Sequence, residues 1–312
     1  MYWYIGKPNF ADASASHVTI DSSEARLGEQ VSGSLGAGTS GNAGQDGQAE
    51  VHEEGEDEEQ QHFPGRMRTA ADARQHVVYP NPTLSIALKP TVSRVRGLDL
   101  ISKYGATNIV PALQTYLKKH GTRQLPTDFL PTAYHEYPVW HRLYLRHDAL
   151  PFDPEWPRRD VIRARPMTSD QESAFDVALL LHDREKFGIH RYRAGRVRAI
   201  FSLPSSFHYL CSHPLVYVEL FTPFSHSISP YNGLYSLSHS RYFDGKRRAA
   251  IVSAFDIAAA CHLAPRFERL DPDFDFSLFP DMLNASRYFW FNHYYNRFIF
   301  RLTEHWRLIP RG

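Results

Sequence analysis

Cysteine is nearly absent: 312 residues hold only Cys211 and Cys261. Two thiols cannot supply the disulfide framework of a small secreted domain, so a reducing compartment is expected. Long apolar runs are missing too. No stretch approaches the ~20 consecutive apolar residues of a membrane helix, and no membrane partner is expected. The opening residues, Met1-Tyr-Trp-Tyr-Ile-Gly-Lys7, lack the basic start and apolar core of a secretory signal. Together these absences predict an intracellular chain. Neither a nucleophile elbow nor a phosphate-binding loop is present.

A one-sided charge is also lacking over the whole chain, whose net is +1. That balance hides two unlike halves. Of the 34 acidic and 35 basic side chains, residues 1–62 hold 12 acidic and two basic (Lys7 and Arg26), a net of −10. The rest hold 22 acidic and 33 basic, a net of +11. A basic body behind an acidic leader favours a polyanionic partner, nucleic acid first.

Residues 28–47 are dominated by Gly, Ser and Ala, and residues 50–62 by Glu, Asp, Gln and His. Such stretches bury too little apolar surface to offset the entropy of ordering. A disordered acidic tail is expected over 1–75. Its run Glu53-Glu-Gly-Glu-Asp-Glu-Glu59 reads as a solvated linker, or as a competitor for the basic body. A short helical element is expected over 76–130. It holds a first helix from Leu98 to Tyr104 and a second from Asn108, the candidate N-cap. Ile109, Val110, Leu113, Tyr116 and Leu117 follow at helical spacing, Pro111 lies in the first turn, and Lys118-Lys-His120 and Gly121 mark the end.

Residues 131–312 are expected to be β-rich. Val139–Leu145, Ala174–Leu181, Arg196–Leu203, Leu215–Phe221, Gly233–Leu237 and Ala249–Val252 read as strands. Pro204-Ser-Ser206, Pro223, Pro230-Tyr-Asn-Gly233 and Asp244-Gly245 supply turns between them. Short strands at this spacing favour a barrel or sandwich. Val197, Ala199, Val216, Val218, Leu220, Ile251 and Cys261 are expected to point inward. Asp256–Ala260 reads as a helical turn before Cys261, and 286–306 as a strand followed by a helix. The fold class is therefore α+β, mainly β: a small barrel-like domain after a short helical element and the acidic tail.

Seventeen histidines raise the question of a metal. Cys211-x-His213 has the wrong spacing for half of a zinc finger. Cys261 and His262, if extended, point to opposite sides. His141 and His147 have no close second pair. Asp271, Asp273 and Asp275 lack the glycine and closing glutamate of a calcium loop. The interleaved Phe274, Phe276 and Phe279 suggest a docking segment instead. No metal, cofactor or catalytic residue is expected.

Cations gather in three places: Arg158-Arg159 with Arg163 and Arg165; Arg191, Arg193, Arg196 and Arg198; and Lys246-Arg247-Arg248. If Arg196 and Arg198 share a strand they face one way, while Val197 and Ala199 face the core. With Arg191 and Arg193 this makes a stripe suited to phosphates, and Tyr192 and Tyr209 could stack on bases. The candidate nucleic-acid contacts are thus Arg191, Arg193, Arg196, Arg198, Lys246, Arg247 and Arg248. The alternative is solvated strand edges, where charge blocks edge-to-edge association.

The order of several motifs carries a resemblance. It runs through Tyr104-Gly-Ala-Thr107, Val139-Trp-His-Arg142 and Phe175-Asp176. It continues through Arg196-Val-Arg-Ala-Ile-Phe201, Leu215-Val-Tyr-Val-Glu-Leu-Phe221 and Cys261-His-Leu-Ala-Pro-Arg-Phe267, and ends at Phe289-Trp-Phe-Asn292. In this order the last three quarters of the chain resemble the C-terminal region of fungal Plavaka-type DNA transposases, related to the Kyakuja-Dileera-Zisupton group. In that family the metal-binding carboxylates lie in a ribonuclease-H-like core upstream of this region. The resemblance implies that no catalytic residue carries over. Residues 175–300 also resemble bromo-adjacent homology domains, which bind chromatin proteins. The resemblances imply a nuclear, non-catalytic accessory module of a transposase-derived protein. It would contact chromatin, DNA or transposase subunits. The alternatives are a cryptic metal-dependent hydrolase or nuclease, or a relic without function.

Overall fold

The computed structural model describes residues 60–63, 77–120, 130–271, 273–275 and 281–309. The chain is mainly β, with few helices. Among the described residues fifteen strands form three sheets, paired antiparallel throughout. The first sheet has the order β1 (Gln60–Phe63), β2 (Thr83–Ala87), β5 (Arg142–His147), β6 (Arg158–Arg165), β7 (Ala174–Phe175). The second has the order β12 (Ala249–Ser253), β10 (Leu215–Leu220), β9 (Tyr192–Phe201), β4 (Glu136–Trp140), β3 (Val92–Arg96). The third is β11 (Tyr235–Ser238), β15 (Tyr288–Phe291), β14 (Leu263–Pro265). None of the described residues forms a helix long and apolar enough to cross a membrane.

Strand β9 organises the second sheet. One edge pairs with β10 from Gly195 to Phe201. On the other edge Tyr192–Arg196 pair with β8 (Val177–Leu181), and Ile200 and Phe201 pair with β4. Strand β13 (Ile257–Cys261) then adds to β8. Ten residues are long enough to carry two shorter partners on one edge, so the sheet branches. Among the described residues each sheet runs between open edges, so the sheets of the expected barrel-like domain are not closed into a barrel. At the centre of the branch, a Cβ on Gly195 would meet Leu180 Cδ1 at 2.6 Å and Val218 Cβ at 3.3 Å. A Cβ there would have to displace the buried Leu180 side chain, so glycine suits the point where three strands meet.

Helices α1 (Gly97–Ser102) and α2 (Ile109–His120) cover one face. The α2 apolar positions recur at helical spacing, so Ile109, Leu113, Tyr116 and Leu117 are all buried. Asn108 begins the helix, its carbonyl accepting from Ala112 N at 3.0 Å. These side chains join Leu100, Val197, Ala199, Ile200, Val216 and Val218 in one core cluster. A second cluster gathers Val177, Leu179, Phe221, Leu237, Leu263, Phe289 and Phe291 under α3 (Arg297–Leu308), which contributes Phe298, Leu302 and Trp306. The strand-then-helix reading of the C-terminal segment holds. So does the inward placing of Val197, Ala199, Val216, Val218, Ile251 and Cys261, while Leu220 is only half-buried.

Several local expectations are corrected. Val139–Leu145 is two strands in different sheets, bent at His141. The bend is held by distant partners: Thr91 Oγ1 accepts from His141 N (3.1 Å), and the Tyr104 hydroxyl lies 3.0 Å from His141 Nε2. Ala174–Leu181 is likewise broken at Asp176, whose carboxylate accepts from Arg163 N, Nε and Nη2 at 2.8–3.0 Å. The alanines of Ile257–Cys261 form strand β13 rather than a helical turn, because pairing with β8 overrides their helix propensity. Arg158–Arg165 is a full strand, with Asp160, Ile162 and Ala164 buried in alternation. Residues 77–120 contribute β2 and β3 as well as the two helices. Gln60–Phe63, within the stretch expected to be disordered, pairs with β2; the rest of 1–75 lies outside the described residues.

Val218 is fully buried at the β9–β10 contact. Val218→Asp would place an unpaired charge there. It should lower unfolding free energy by roughly 3 kcal/mol or more in urea denaturation. A variant with the wild-type midpoint would contradict this packing.

Candidate nucleic-acid interface

The seven candidate cations divide into two kinds. The four arginines of the expected stripe are not a solvated surface. Both faces of β9 are covered, and every residue from Ala194 to Phe201 is buried. In the β9–β10 register Tyr217 faces Ala199 and Val218 faces Val197, which leaves Arg198 as the extra residue of a bulge. Bulges re-aim side chains.

Arg198 Nη2 lies 3.1 Å from Glu219 Oε2. The same oxygen accepts from Arg247 Nη1 at 3.0 Å, and Arg247 Nη1 also donates to Asn284 Oδ1 at 2.7 Å. Arg196, its side chain 3% exposed, donates to Asp281 Oδ2 (2.6 Å) and to Asn284 Oδ1 (3.2 Å). Both β9 guanidiniums lie over the Phe175 ring, at 5.7 and 4.9 Å. Three cations thus share two carboxylates in a partly dry space. Burial, with Arg198 alongside, pushes the Arg196 pKa down to about 10. Burial alone would raise the Glu219 carboxyl, but Arg198 and Arg247 outweigh it and hold the group below its ordinary value.

The other two stripe residues are also engaged within the fold. The Arg191 guanidinium sits 4.2 Å over Tyr79. Arg193 donates to the Phe221 carbonyl (2.7 Å) and to Ser240 Oγ (3.1 Å). Tyr192 is buried against Trp306, while Tyr209 is 40% exposed. The first basic cluster is held in the same way. Arg158 pairs with Asp160, Arg159 lies over Tyr144, Arg163 binds Asp176 and Arg165 donates to the Glu172 carbonyl.

The third cluster behaves differently. Lys246, Arg247 and Arg248 lie on one arm of a hairpin at 241–248, between β11 and β12. Gly245 N donates to the Tyr242 carbonyl (3.0 Å) and Tyr242 N to the Lys246 carbonyl (2.8 Å). Gly245 has φ +82° and nothing near its missing Cβ, so backbone conformation rather than space demands glycine there. Asp244 Oδ1 accepts from Lys246 N (3.0 Å), and Arg241 Nη1 donates to the Gly245 carbonyl (2.6 Å). At the tip Phe243 is fully exposed, Tyr242 is 45% exposed and the Lys246 side chain 73%. Arg248 lies 5.1 Å over the Tyr242 ring. The hairpin's root is fixed by Arg247, by Leu220 N donating to the Arg248 carbonyl (2.8 Å), and by His239 Nε2, 2.7 Å from the Leu283 carbonyl. Phe243 was missed from sequence. Its signal was an aromatic pair directly before Asp244-Gly245.

The thiols and histidines are placed as follows. Cys211 Sγ is 3.5 Å from His213 Nδ1, and the Tyr116 hydroxyl is 3.1 Å from His213 Nε2. Burial raises the Cys211 thiol and lowers the His213 imidazole, the reverse of an activated pair. Burial also raises Cys261. His147 is buried 3.3 Å from Asp160. Among the described residues no three His, Cys, Asp or Glu side chains gather at metal-binding range. Asp271 Oδ1 accepts from Asp273 N, and Phe274 is half-buried. Phe276 and Phe279 lie outside the described residues. Comparison of the chain with protein-family models, curated proteins and solved structures finds no match.

Burial pushes the His239 and His262 imidazoles down to about 4. In the unfolded chain each takes its proton near pH ~6.5. Their contribution to stability is therefore complete above about pH 6.5 and lost as pH falls from ~6.5 to ~4. Urea midpoints should drop across that window. His239→Gln, which keeps a donor for the Leu283 carbonyl but cannot titrate, should flatten the drop. An unchanged pH profile in this variant would contradict a buried neutral His239.

Proposed function

We propose that this chain is a non-catalytic accessory module of a transposase-like protein, and that its body contacts nucleic acid through the hairpin at 241–248. One observation carries the reading. The arginines of β9 are consumed inside the fold, whereas the hairpin presents Arg248, Phe243 and Lys246, the last paired only with exposed Asp244 (3.2 Å), to solvent on a fixed turn. Cations placed this way neutralise phosphates and release condensed counterions, which gives sequence-tolerant binding. The non-catalytic part is supported by the state of the reactive groups. Both thiols are buried and raised, and Asp160, Asp176, Glu219 and Asp281 are each held by arginine. Under the same reading, residues 175–300 form the bromo-adjacent-homology-like unit, a barrel-like wrap with open edges. A nuclear location and chromatin proximity go with it.

The test is fluorescence anisotropy of the full chain with a labelled 20-base-pair duplex over a salt series. Affinity should fall steeply with salt. The double variant Lys246→Ser/Arg248→Ser should weaken binding and reduce the log–log salt slope by about 2, one unit per lost phosphate contact. No binding at low salt would overturn the nucleic-acid reading and leave the hairpin as a protein-docking element.

A further inference from the structure

We infer that the hairpin tip recognises unpaired nucleotide bases, with Phe243 as the stacking surface. This rests on the nucleic-acid reading above and specifies its ligand. Phe243 has no structural work: no part of the described chain covers its ring. The backbone beneath it is nevertheless fixed at several points. The turn is closed by the Gly245 and Tyr242 amides, by Asp244 Oδ1 on Lys246 N and by Arg241 on the Gly245 carbonyl. Arg247 then clamps the root to Glu219 and Asn284. With the backbone fixed, only the side-chain torsions of Phe243 remain to be ordered on binding, so less of the contact is lost to entropy than on a free loop.

The chemistry of the ring selects the ligand. Phenylalanine has no hydrogen-bonding group and cannot read the edges that a base pair shows in a groove. It offers only a π face and an apolar rim. Within a stacked duplex both faces of a base are occupied. A base that has left the stack, in a single strand or a bulge, has a free face to place on the ring. Phosphates on either side of that base would meet Lys246 and Arg248 on the following arm and Arg241 on the preceding one. Tyr242 already carries the Arg248 guanidinium over its ring, so the tip offers one open aromatic face and a one-base footprint. A protein pocket is the competing occupant. It would accept any apolar side chain at 243, whereas stacking requires a planar one.

The experiment measures anisotropy of the full chain at low salt with three labelled probes: a 12-nucleotide single strand, a duplex, and a duplex with a three-nucleotide bulge. Phe243→Ala, Phe243→Leu and Lys246→Ser/Arg248→Ser are compared with the wild type. The single strand and the bulge should bind more tightly than the duplex. Phe243→Ala should weaken both by about tenfold, the scale of one base–aromatic stack, and leave the duplex nearly unchanged. Phe243→Leu should behave like Phe243→Ala. A 2-aminopurine in the bulge should be quenched by the wild type and not by Phe243→Ala. Thermal melting of both variants should match the wild type, since the ring packs on nothing. Unchanged affinity in Phe243→Ala, full affinity in Phe243→Leu, or equal losses on all probes would overturn the stacking role. If Lys246→Ser/Arg248→Ser still weakened binding in that case, the nucleic-acid reading would survive. Absence of binding to every probe would overturn both.

Discussion

Glu219 is the side chain on which the arrangement of this protein turns. It sits on β10 opposite Arg196 of β9, and its carboxylate receives Arg198 from β9 and Arg247 from the hairpin. Asn284 extends the link, taking Arg247 and Arg196, and Asp281 holds Arg196 from the same turn. Four segments distant in sequence are therefore joined by one set of charge-assisted hydrogen bonds. Such bonds are directional and stronger than neutral ones, which suits them to fixing position. Their net contribution to stability is smaller than their number implies, because each charge was taken out of water to make them. What they supply most clearly is geometry: the hairpin leaves the body at a defined place.

The same network explains why charge in β9 was misread as surface. The alternation Arg196-Val-Arg-Ala199 correctly gave a strand with Val197 and Ala199 inward. It could not show that a second layer lies over the opposite face. That layer is built from Asp281, Asn284 and Phe175, which lie 21–88 residues away in sequence. A bulge at Arg198 further changes the register, and nothing local encodes it. Helix α2, by contrast, was legible because its apolar spacing, its start at Asn108 and its basic last turn all point the same way. The strand breaks at His141 and Asp176 were invisible for the reason that hid the network. Each is made by a partner in another strand or loop, while the hydrophobic pattern runs straight through. Strand β6 was lost behind its own arginines, and β13 behind the helix propensity of alanine.

The hairpin shows the opposite balance. Asp244-Gly245 announces the turn, and Lys246-Arg247-Arg248 announces its charge. The structure then sorts those three residues by role. Arg247 is half-buried and belongs to the clamp, while Lys246 and Arg248 face solvent beside Phe243. One basic triplet thus contains both the anchor and the proposed contact. A substitution at Arg247 would disturb presentation of the tip, whereas one at Lys246 would change its charge and remove only an exposed pair with Asp244 (3.2 Å).

The central claim is that the arginines of β9 hold the fold together while Lys246 and Arg248 of the hairpin are left for the proposed partner. Arg198→Met tests it most directly. Removing Arg198 leaves Arg247 on Glu219 and Arg196 on Asp281, so each carboxylate keeps a cation and the variant should fold. The measurement is its thermal melt together with the salt dependence of its nucleic-acid binding. The account predicts a lowered melting temperature and an unchanged salt slope. A wild-type melt with a slope reduced by about 1, the signature of one lost phosphate contact, would contradict it and return β9 to the interface.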